Sequence, residues 1–209
     1  MTTMKILIAG HGGQGIMLLG DYMAYSAMLQ GNHVAYTPSY GPETRGGKAK
    51  CYVIISDQTV DNPIAEEPDV ELILNQPSMD FLPSLRPGGL VIYNQSLVLT
   101  EVNRDDVESY GIPATEIAES LRSEMSLTTD TKMFANSVMF GAFLEMCTPN
   151  LGADTVKETL EHFLAGKKET LISLNSRAIE KGRAYVKSNP PGNIPRKSVY
   201  HTIPSWATQ

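Results

Sequence analysis

The sequence predicts an α/β protein with a Rossmann-like, mostly parallel sheet covered by helices, followed by a C-terminal helical segment and an extended tail. The amino-terminal stretch "KILIAGHGGQGIMLLGDYMAYSA" is typical of a strand, a glycine loop and a helix. Further short apolar strands alternate with helical segments, which indicates a parallel sheet with helices on both faces. After these strands only helical periodicity remains, until a proline-rich end.

Each element follows from a local pattern. The first strand is the apolar run "MKILIAG", and the helix "IMLLGDYMAYSAMLQG" ends with Gly31 as its C-cap. "HVAYTPSY" and "KAKCYVIISD" predict the second and third strands. "DVELILNQP" and "GGLVIYNQS" are short apolar strands that each end in Asn-Gln, and "YGIPATEIAESLRSE" predicts a short strand or turn before a helix.

The remaining elements are helical. An apolar helix, "DTKMFANSVMFGAFLEM", begins near Asp130, and "DTVKETLEHFLAG" takes Asp154 as its N-cap and ends at Gly166. In the last helix, apolar or small residues recur at helical spacing, and we interpret this stripe as core packing: Leu171, Leu174, Ala178, Gly182 and Tyr185.

The sequence divides into a folded domain and a C-terminal tail. Residues 1–187 form one domain, and residues 188–209 form a Pro-rich tail in which Tyr200 and Trp206 are costly to leave in water. The tail is either an arm that docks on a partner or a symmetry mate, or a disordered terminus.

Composition excludes several classes of function. The net charge of -6 and the pI near 5.2 disfavour a nucleic-acid partner, which needs clustered Lys and Arg. No segment has the roughly 20 apolar residues of a membrane span, and the apolar run at the amino terminus is too short for a signal peptide, so we expect a cytoplasmic protein. Cys51 and Cys147 lie far apart, which predicts ordinary buried thiols rather than a metal site.

The glycine loop poses the main functional question. Gly10, Gly12 and Gly15 have the G-x-G-x-x-G spacing of a dinucleotide fingerprint, and such a loop lets backbone N–H groups approach a phosphate or pyrophosphate. Close packing of strand on helix explains the same glycines. NAD also needs an acidic residue at the end of the second strand, where this chain has only Tyr36, Thr37 or Pro38. The sequence therefore argues against NAD.

A second motif, "SYGPETRGG", follows the second strand. It brings Ser39, Tyr40 and Arg45 to the predicted carboxyl end of the sheet, with Gly46 allowing a close backbone approach. Arg45 suits a phosphate or carboxylate, and an ion pair with Glu43 or with a neighbouring subunit is the alternative.

These motifs carry a resemblance. "GHGGQGI", "SYGPETRGG", "VIISD" and "ANSVMFGA" resemble the gamma subunit, or gamma-type domain, of 2-oxoacid:ferredoxin oxidoreductases. The 2-oxoglutarate enzymes are the nearest subgroup, with the pyruvate and branched-chain enzymes close behind. The resemblance runs from Lys5 to about Arg183, and the tail departs from the family pattern.

The resemblance implies an activity that this chain would share in but not perform alone. The reaction is oxidative decarboxylation of a 2-oxoacid to its acyl-CoA, with electrons passed to ferredoxin. Thiamine diphosphate, Mg and iron-sulfur clusters would lie on partner alpha, beta and possibly delta subunits, because this chain has two isolated cysteines and no G-D-G segment followed by an Asn ligand. No catalytic or metal-binding residue is assigned here.

The contribution expected of this chain is assembly and coenzyme A binding. The predicted binding residues are Gly12, Gly13, Gln14, Gly15, Ser39, Tyr40, Arg45 and Gly46. Both loops could instead form only a subunit interface. The rival functions are a stand-alone NAD(P)-dependent reductase and a non-catalytic nucleotide-binding module.

Weaker candidates have two readings each. His11 could contact an anion or act as a base, or be a solvated loop residue. Amides at two strand ends could line a ligand cleft or merely cap loops: Asn75, Gln76, Asn94 and Gln95. Asn136 could bond a neighbouring loop or lie exposed on its helix.

Overall fold

The computed structural model describes residues 3–40, 47–125, 128, 130–148, 151–167 and 169–191. Six strands form one sheet: β1 Thr3–His11, β2 His33–Tyr40, β3 Lys48–Ser56, β4 Val70–Ile73, β5 Leu90–Asn94 and β6 Glu108–Ile112. Five α-helices accompany them: α1 Ile16–Leu29, α2 Ala114–Glu124, α3 Ala135–Cys147, α4 Ala153–Phe163 and α5 Glu169–Ser188. Two 3-10 helices, Gln76–Ser84 and Lys132–Phe134, complete the described elements.

The sheet is mostly parallel, as the sequence predicts. Its strand order is β2-β3-β1-β4-β5-β6. Strand β3 is antiparallel to both of its neighbours, β1 and β2, whereas β1, β4, β5 and β6 pair in parallel. Five strands therefore run in one direction, and β1, β2, β4 and β5 all end at the same edge, called the carboxyl edge below.

The α-helices lie on one face of the sheet, which corrects the expectation of helices on both faces. Side chains from one face of the strands and from all five α-helices share a single large hydrophobic core. The opposite face is covered by the 3-10 helix Gln76–Ser84 and by the segment between β5 and β6, around a smaller core of Ala9, Ile73, Leu82, Leu85, Val91 and Val98. The connection from β4 to β5 forms a 3-10 helix instead of an α-helix, and the connection from β5 to β6, which is described throughout, contains no helix.

Helices α3 and α5 pack at very close range. A Cβ atom at Gly141 would meet the backbone oxygen of Ile179, and one at Gly182 would meet the backbone oxygen of Val138. The predicted stripe on α5 is core, as expected: Leu174, Ala178 and Gly182 are buried, and Leu171 and Tyr185 pack partly buried against the core.

Helix α4 begins differently from the prediction. Its N-cap is Gly152, and Asp154 lies one residue inside the helix without a capping hydrogen bond. There its carboxylate can still interact favourably with the helix dipole. The helix also ends earlier than predicted, at Phe163 with Leu164 as its C-cap, and Gly166 (φ +72°) lies in the turn that follows.

Both cysteines are buried free thiols, as predicted. Burial, with a smaller contribution from Asp21, raises the pKa of Cys51 to about 12, and burial likewise raises the pKa of Cys147. No α-helix in the described ranges is long and apolar enough to serve as a membrane span. The tail beyond residue 191 lies outside the described residues.

Candidate functional site

A cleft of about 350 Å³ opens at the carboxyl edge of the sheet. Its described lining comes from the glycine loop, the ends of β4 and β5, and the starts of α2 and α3: Gly13, Gln14, Leu74, Asn94, Leu97, Thr115, Lys132, Met133 and Ala135. From β1 the chain turns to one side of the sheet to form β2 and β3, and it then returns to form β4 on the other side of β1. Ligands of open α/β sheets bind at such a switch point.

A larger groove does not compete with this cleft as the candidate site. It measures about 520 Å³ and lies between α4 and α5. Its rim carries charges of both signs, including Lys157, Glu161 and Glu180, and none of the predicted binding residues is among its described lining. We therefore place the candidate site at the carboxyl edge.

The glycine loop presents backbone donors to this edge. Gly13 and Gly15 have φ of +98° and +73°, a conformation that glycine adopts without strain. Gly15 is the N-cap of α1, and no side chain caps this helix. Because the first N–H groups of a helix have no partner inside it, the start of α1 is suited to an anion or another acceptor.

The predicted contact of Asn136 with a loop is confirmed. Asn136 is buried on α3, and its Nδ2 donates to the Gly15 carbonyl oxygen at 3.3 Å. A Cβ on Gly15 would collide with this amide. Helix α3 thus holds the glycine loop from the side of the large core.

The Gln14 side chain joins the ends of β1 and β4. Its Oε1 accepts from the backbone N–H of His11 at 2.7 Å and from Asn75 Nδ2 at 2.6 Å. Its Nε2 makes a long contact of 3.4 Å to the Leu74 carbonyl oxygen. Gln14 therefore uses its oxygen internally, and its amide nitrogen is the end with hydrogen-bonding capacity left for the cleft.

Asn94 caps helix α2 and also lines the cleft. Its Oδ1 accepts from the backbone N–H groups of Ala114 and Thr115 at 3.1 and 3.4 Å, and its Nδ2 donates to Thr115 Oγ1 at 2.9 Å. A side chain from the end of β5 thereby satisfies the start of a helix twenty residues later in the chain. The N-terminus of α2 is consequently less available to a ligand than that of α1.

Lys132 supplies a cation at the cleft, and it is a residue that sequence reasoning missed. Its Nζ lies 2.9 Å from Glu119 Oε1, with about half of each side chain exposed. This hydrogen bond, with the nearby negative charges, raises the pKa of Lys132. Exposed ion pairs are weak, so the ammonium group can exchange Glu119 for an anionic ligand at little cost. No local motif identifies this lysine, since only the fold brings α3 beside the glycine loop.

The rim of the cleft is apolar. Leu97 and Met133 line the cleft and are 40% and 63% exposed, and Leu99 in the same loop as Leu97 is 86% exposed. Gln76 holds this loop: its Oε1 accepts from the backbone N–H groups of Leu99 and Thr100, and its Nε2 donates to Thr100 Oγ1. The cleft thus combines donors and a cation with an apolar entrance.

The structure gathers part of the predicted set. Gly13 and Gln14 line the cleft, whereas Gly12 donates its N–H to Gly47 at 3.0 Å and so joins the glycine loop to the start of β3. Ser39 lies on β2 on the same face as Thr37, away from α1, because Tyr36 contacts α1 and side chains alternate along a strand. It is not among the described residues of the cleft lining.

The other motif residues are only partly described. Tyr40 ends β2 and its backbone pairs with Ala49 at the carboxyl edge. Arg45 and Gly46 lie outside the described residues. Of the weaker candidates, His11 is half-buried at the end of β1 and Gln95 is exposed. Asn75 serves as the N-cap of the 3-10 helix that follows it.

The described residues offer no donor set for a metal or a cluster. Within those ranges there is no group of three or more His, Cys, Asp or Glu side chains that could hold a metal ion. The cleft has polar groups of a different kind, namely amide and ammonium donors. Its amide and ammonium donors suit recognition of phosphate or carbonyl oxygens.

Comparison with known proteins agrees with the resemblance seen in the sequence. The model of the pyruvate ferredoxin/flavodoxin oxidoreductase family matches residues 5–185. The ketoisovalerate oxidoreductase subunit VorA of Methanothermobacter thermautotrophicus is 34% identical over 191 residues, which is 91% of this chain and 38% of VorA. The 2-oxoglutarate synthase subunit KorC of Methanocaldococcus jannaschii is 35% identical over 179 residues, 84% of this chain and 92% of KorC.

Two solved structures share the fold. A 2-oxoglutarate:ferredoxin oxidoreductase from Magnetococcus marinus, with 2-oxoglutarate, coenzyme A and succinyl-CoA bound, aligns with a TM-score of 0.78 at 25% identity, over 92% of this chain and 32% of that one. The gamma subunit of a keto/oxoacid ferredoxin oxidoreductase from Geobacter sulfurreducens aligns with a TM-score of 0.72 at 26% identity, over 90% and 98% of the two chains. The present chain therefore spans about a third of some relatives and nearly all of others.

Proposed function

Because the chain belongs to the pyruvate ferredoxin/flavodoxin oxidoreductase family, we propose that it is the gamma subunit, or gamma-type domain, of a heteromeric 2-oxoacid:ferredoxin oxidoreductase. The observation that carries this proposal is the match to KorC over 92% of that subunit's length. We assign 2-oxoglutarate as the substrate of the complex for the same reason. Ketoisovalerate is the second candidate, because VorA matches at nearly the same identity over a longer stretch of this chain.

The proposed reaction needs groups that partner subunits would supply. The complex would oxidise and decarboxylate a 2-oxoacid, join the acyl group to the coenzyme A thiol, and pass two electrons to ferredoxin. Thiamine diphosphate with Mg would stabilise the carbanion, and iron-sulfur clusters would carry the electrons, on alpha, beta and possibly delta subunits.

The proposed task of this chain is to hold coenzyme A at the cleft and to support assembly. Coenzyme A carries phosphates that match the backbone donors at Gly13 and α1, the Gln14 amide and the Lys132 ammonium. Its pantetheine arm is less polar and suits the rim formed by Leu97 and Met133. Arg45 stays a predicted phosphate contact from the neighbouring loop.

A nicotinamide cofactor fits this cleft less well. In the dinucleotide-binding fold the second strand lies beside the first, so that its terminal acid reaches the ribose. Here β3 separates β2 from β1, and β2 ends in Ser39 and Tyr40 without an acid. The stand-alone reductase is therefore the weaker candidate.

The test of assembly is an anaerobic pull-down of the tagged chain from its own cells. We expect subunits with thiamine and cluster motifs to co-purify, and the isolated complex to reduce ferredoxin with coenzyme A and one preferred oxoacid among 2-oxoglutarate, ketoisovalerate and pyruvate. Recovery of the chain alone, with no ferredoxin reduction, would overturn the proposal.

The test of ligand binding is thermal unfolding of the full chain with coenzyme A, NADH or NADPH. A ligand present at about 100 times its dissociation constant adds about 2.7 kcal/mol to the free energy of unfolding. We expect stabilisation by coenzyme A and none by the nicotinamide nucleotides. Stabilisation by NADH or NADPH instead would favour the reductase. If no ligand stabilises the chain and the chain still co-purifies with its partner subunits, assembly would be its only role.

A further inference from the structure

The orientation of the Gln14 amide in the cleft is determined by a chain of hydrogen bonds, called the amide relay here, through Gln14, Asn75 and Ser78. Ser78 donates to Asn75 Oδ1 from its backbone N–H at 3.1 Å and from its Oγ at 2.8 Å. Asn75 Nδ2 donates to Gln14 Oε1 at 2.6 Å. Asn75 is 7% exposed and Ser78 fully buried, so water offers little alternative to these partners.

Both ends of the amide relay are backbone donors, which cannot reverse their roles. At one end the Ser78 N–H donates both to the Asn75 backbone carbonyl oxygen at 3.2 Å and to Asn75 Oδ1 at 3.1 Å, so the Asn75 side chain turns its oxygen to Ser78 and its NH₂ group to Gln14. At the other end the His11 N–H requires an acceptor, so Gln14 must turn its oxygen to His11. Flipping the Asn75 amide would set its NH₂ group against the Ser78 N–H and its oxygen against Gln14 Oε1. Flipping the Gln14 amide would take the acceptor away from the His11 N–H, and a buried donor without a partner costs about 1–3 kcal/mol.

The consequence appears at the cleft. With its oxygen accepting two hydrogen bonds, Gln14 has only its NH₂ group to offer, and the single contact of that group, to the Leu74 carbonyl oxygen, is long at 3.4 Å. The relay also spans the switch point between β1 and β4, and open α/β sheets bind their ligands at such points. The orientation of Gln14 is thus decided by Asn75, a residue that does not itself line the described cleft.

We propose that Asn75 is a positioning residue that holds Gln14 as an obligatory hydrogen-bond donor, so that the cleft selects a ligand atom that can accept a hydrogen bond. This inference rests on the proposed function and makes it more specific. The atom would be a phosphate or amide carbonyl oxygen of coenzyme A. A ligand ammonium group, which can only donate, could be accommodated there only by breaking the relay.

The decisive variant is Gln14→Glu. A glutamate keeps the bonds from the His11 N–H and from Asn75 Nδ2 but has no donor left for the ligand. In the assembled enzyme we expect the KM for coenzyme A to rise by about tenfold or more, with the effect on KM and not on kcat, while the unfolding midpoint of the chain is retained. Asn75→Asp should also raise this KM, because its carboxylate removes the donor that fixes the Gln14 oxygen.

The matched control is Gln95→Glu, the same substitution directly after β5 at the same sheet edge. Gln95 is exposed and lies outside the described cleft lining, so we expect an unchanged KM for coenzyme A. A similar rise for Gln14→Glu and Gln95→Glu would show a general charge effect and overturn the inference.

A further variant separates failure of the inference from failure of the proposed function. Lys132→Gln alters the cleft but leaves the amide relay untouched. If it raises the KM for coenzyme A and Gln14→Glu does not, the site stands and the relay assignment is wrong. If neither variant changes this KM, coenzyme A binds elsewhere, and the proposed function of the cleft fails together with the relay.

Discussion

Replacing Glu71 with glutamine should stabilise the protein above neutral pH and have much less effect in acid. Glu71 lies on β4 with no exposed surface, and its Oε1 accepts from Ser84 Oγ at 2.8 Å. Its Oε2 has no hydrogen-bond partner among the described residues. Burial raises the pKa of Glu71 from 4.5 to about 7, against smaller lowering effects of the Ser84 hydrogen bond and the Arg104 charge.

The magnitude follows from this shift of the pKa. The unfolded chain releases the Glu71 proton near pH 4.5, whereas the folded chain keeps it to about pH 7. Its contribution to stability is therefore fully present below pH 4.5 and is lost as the pH rises through 7. One pKa unit corresponds to 1.36 kcal/mol, so the ionised group costs on the order of 3 kcal/mol at pH 8.5. Glutamine is neutral throughout and avoids this cost.

The assay is urea unfolding of the full chain, followed by circular dichroism at pH 5 and pH 8.5. We expect the advantage of Glu71→Gln over wild type to grow by about 2–3 kcal/mol between the two pH values. The control is Glu67→Gln, since Glu67 is exposed and should give the same small effect at both. An advantage that is equal at both pH values, or a variant less stable at pH 8.5, would refute the argument and indicate an ionised Glu71 stabilised by Arg104.

Three further predictions concern the glycine loop, the helix crossing and the cleft. Gly15→Ala should lower the free energy of unfolding, measured in urea, by about 2 kcal/mol or more, because alanine is strained at φ +73° and its Cβ meets Asn136. If the loss is equal in the wild-type and Asn136→Ala backgrounds, the collision with Asn136 is contradicted. Gly141→Ala should destabilise by about 3 kcal/mol, since its Cβ would force α3 away from α5, and a gain of the kind expected from helix propensity alone would speak against this packing. Lys132→Gln should raise the KM for coenzyme A in the assembled enzyme, whereas Glu119→Gln should lower this KM because it frees the lysine from its ion pair. If both variants shift the KM in the same direction, Lys132 does not bind a phosphate.

The order and type of the elements could be predicted from sequence because local patterns specify them. Alternating or continuous apolar runs gave the strands, and the G-x-G-x-x-G spacing placed the turn between β1 and α1 at the correct residues. The stripe on α5 was core for the same reason. A glycine such as Gly31, which has φ +81° directly after the C-cap of α1, marks a helix end wherever the helix lies in the fold.

The pairing of strands and the distribution of helices depend on distant contacts. The insertion of β3 between β1 and β2 is not encoded in a spacing or a single residue. The apolar pattern of a strand is the same whether the strand pairs in parallel or antiparallel with its neighbour. Asp154 had the right type for an N-cap, but the helix begins two residues earlier than that role requires, with Gly152 as its cap. The intrinsic preference of Asp154 for the N-cap position was overridden by the tertiary structure, in which α4 begins at Ala153.

The candidate site was predictable in its first half only. Gly13 and Gln14 belong to a motif, whereas Lys132 reaches the cleft through the packing of α3 more than one hundred residues later. The double role of Asn94, as a cap of α2 and as cleft lining, likewise needs the parallel pairing of β5 with β6. An amide at a strand end was a usable signal, but its partner could not be read from the sequence.

The close contact between α3 and α5 also has a consequence during synthesis on the ribosome. Eleven of the thirteen residues of α3 are buried in the folded chain, and α5, which packs against it, is made later. At about 5–20 residues per second, the interval from the end of α3 to the end of α5 lasts about 2–8 seconds. During this interval the apolar residues of α3 lack helix α5, which packs against them in the folded chain. This is the stage at which a chaperone would be most useful and aggregation most damaging.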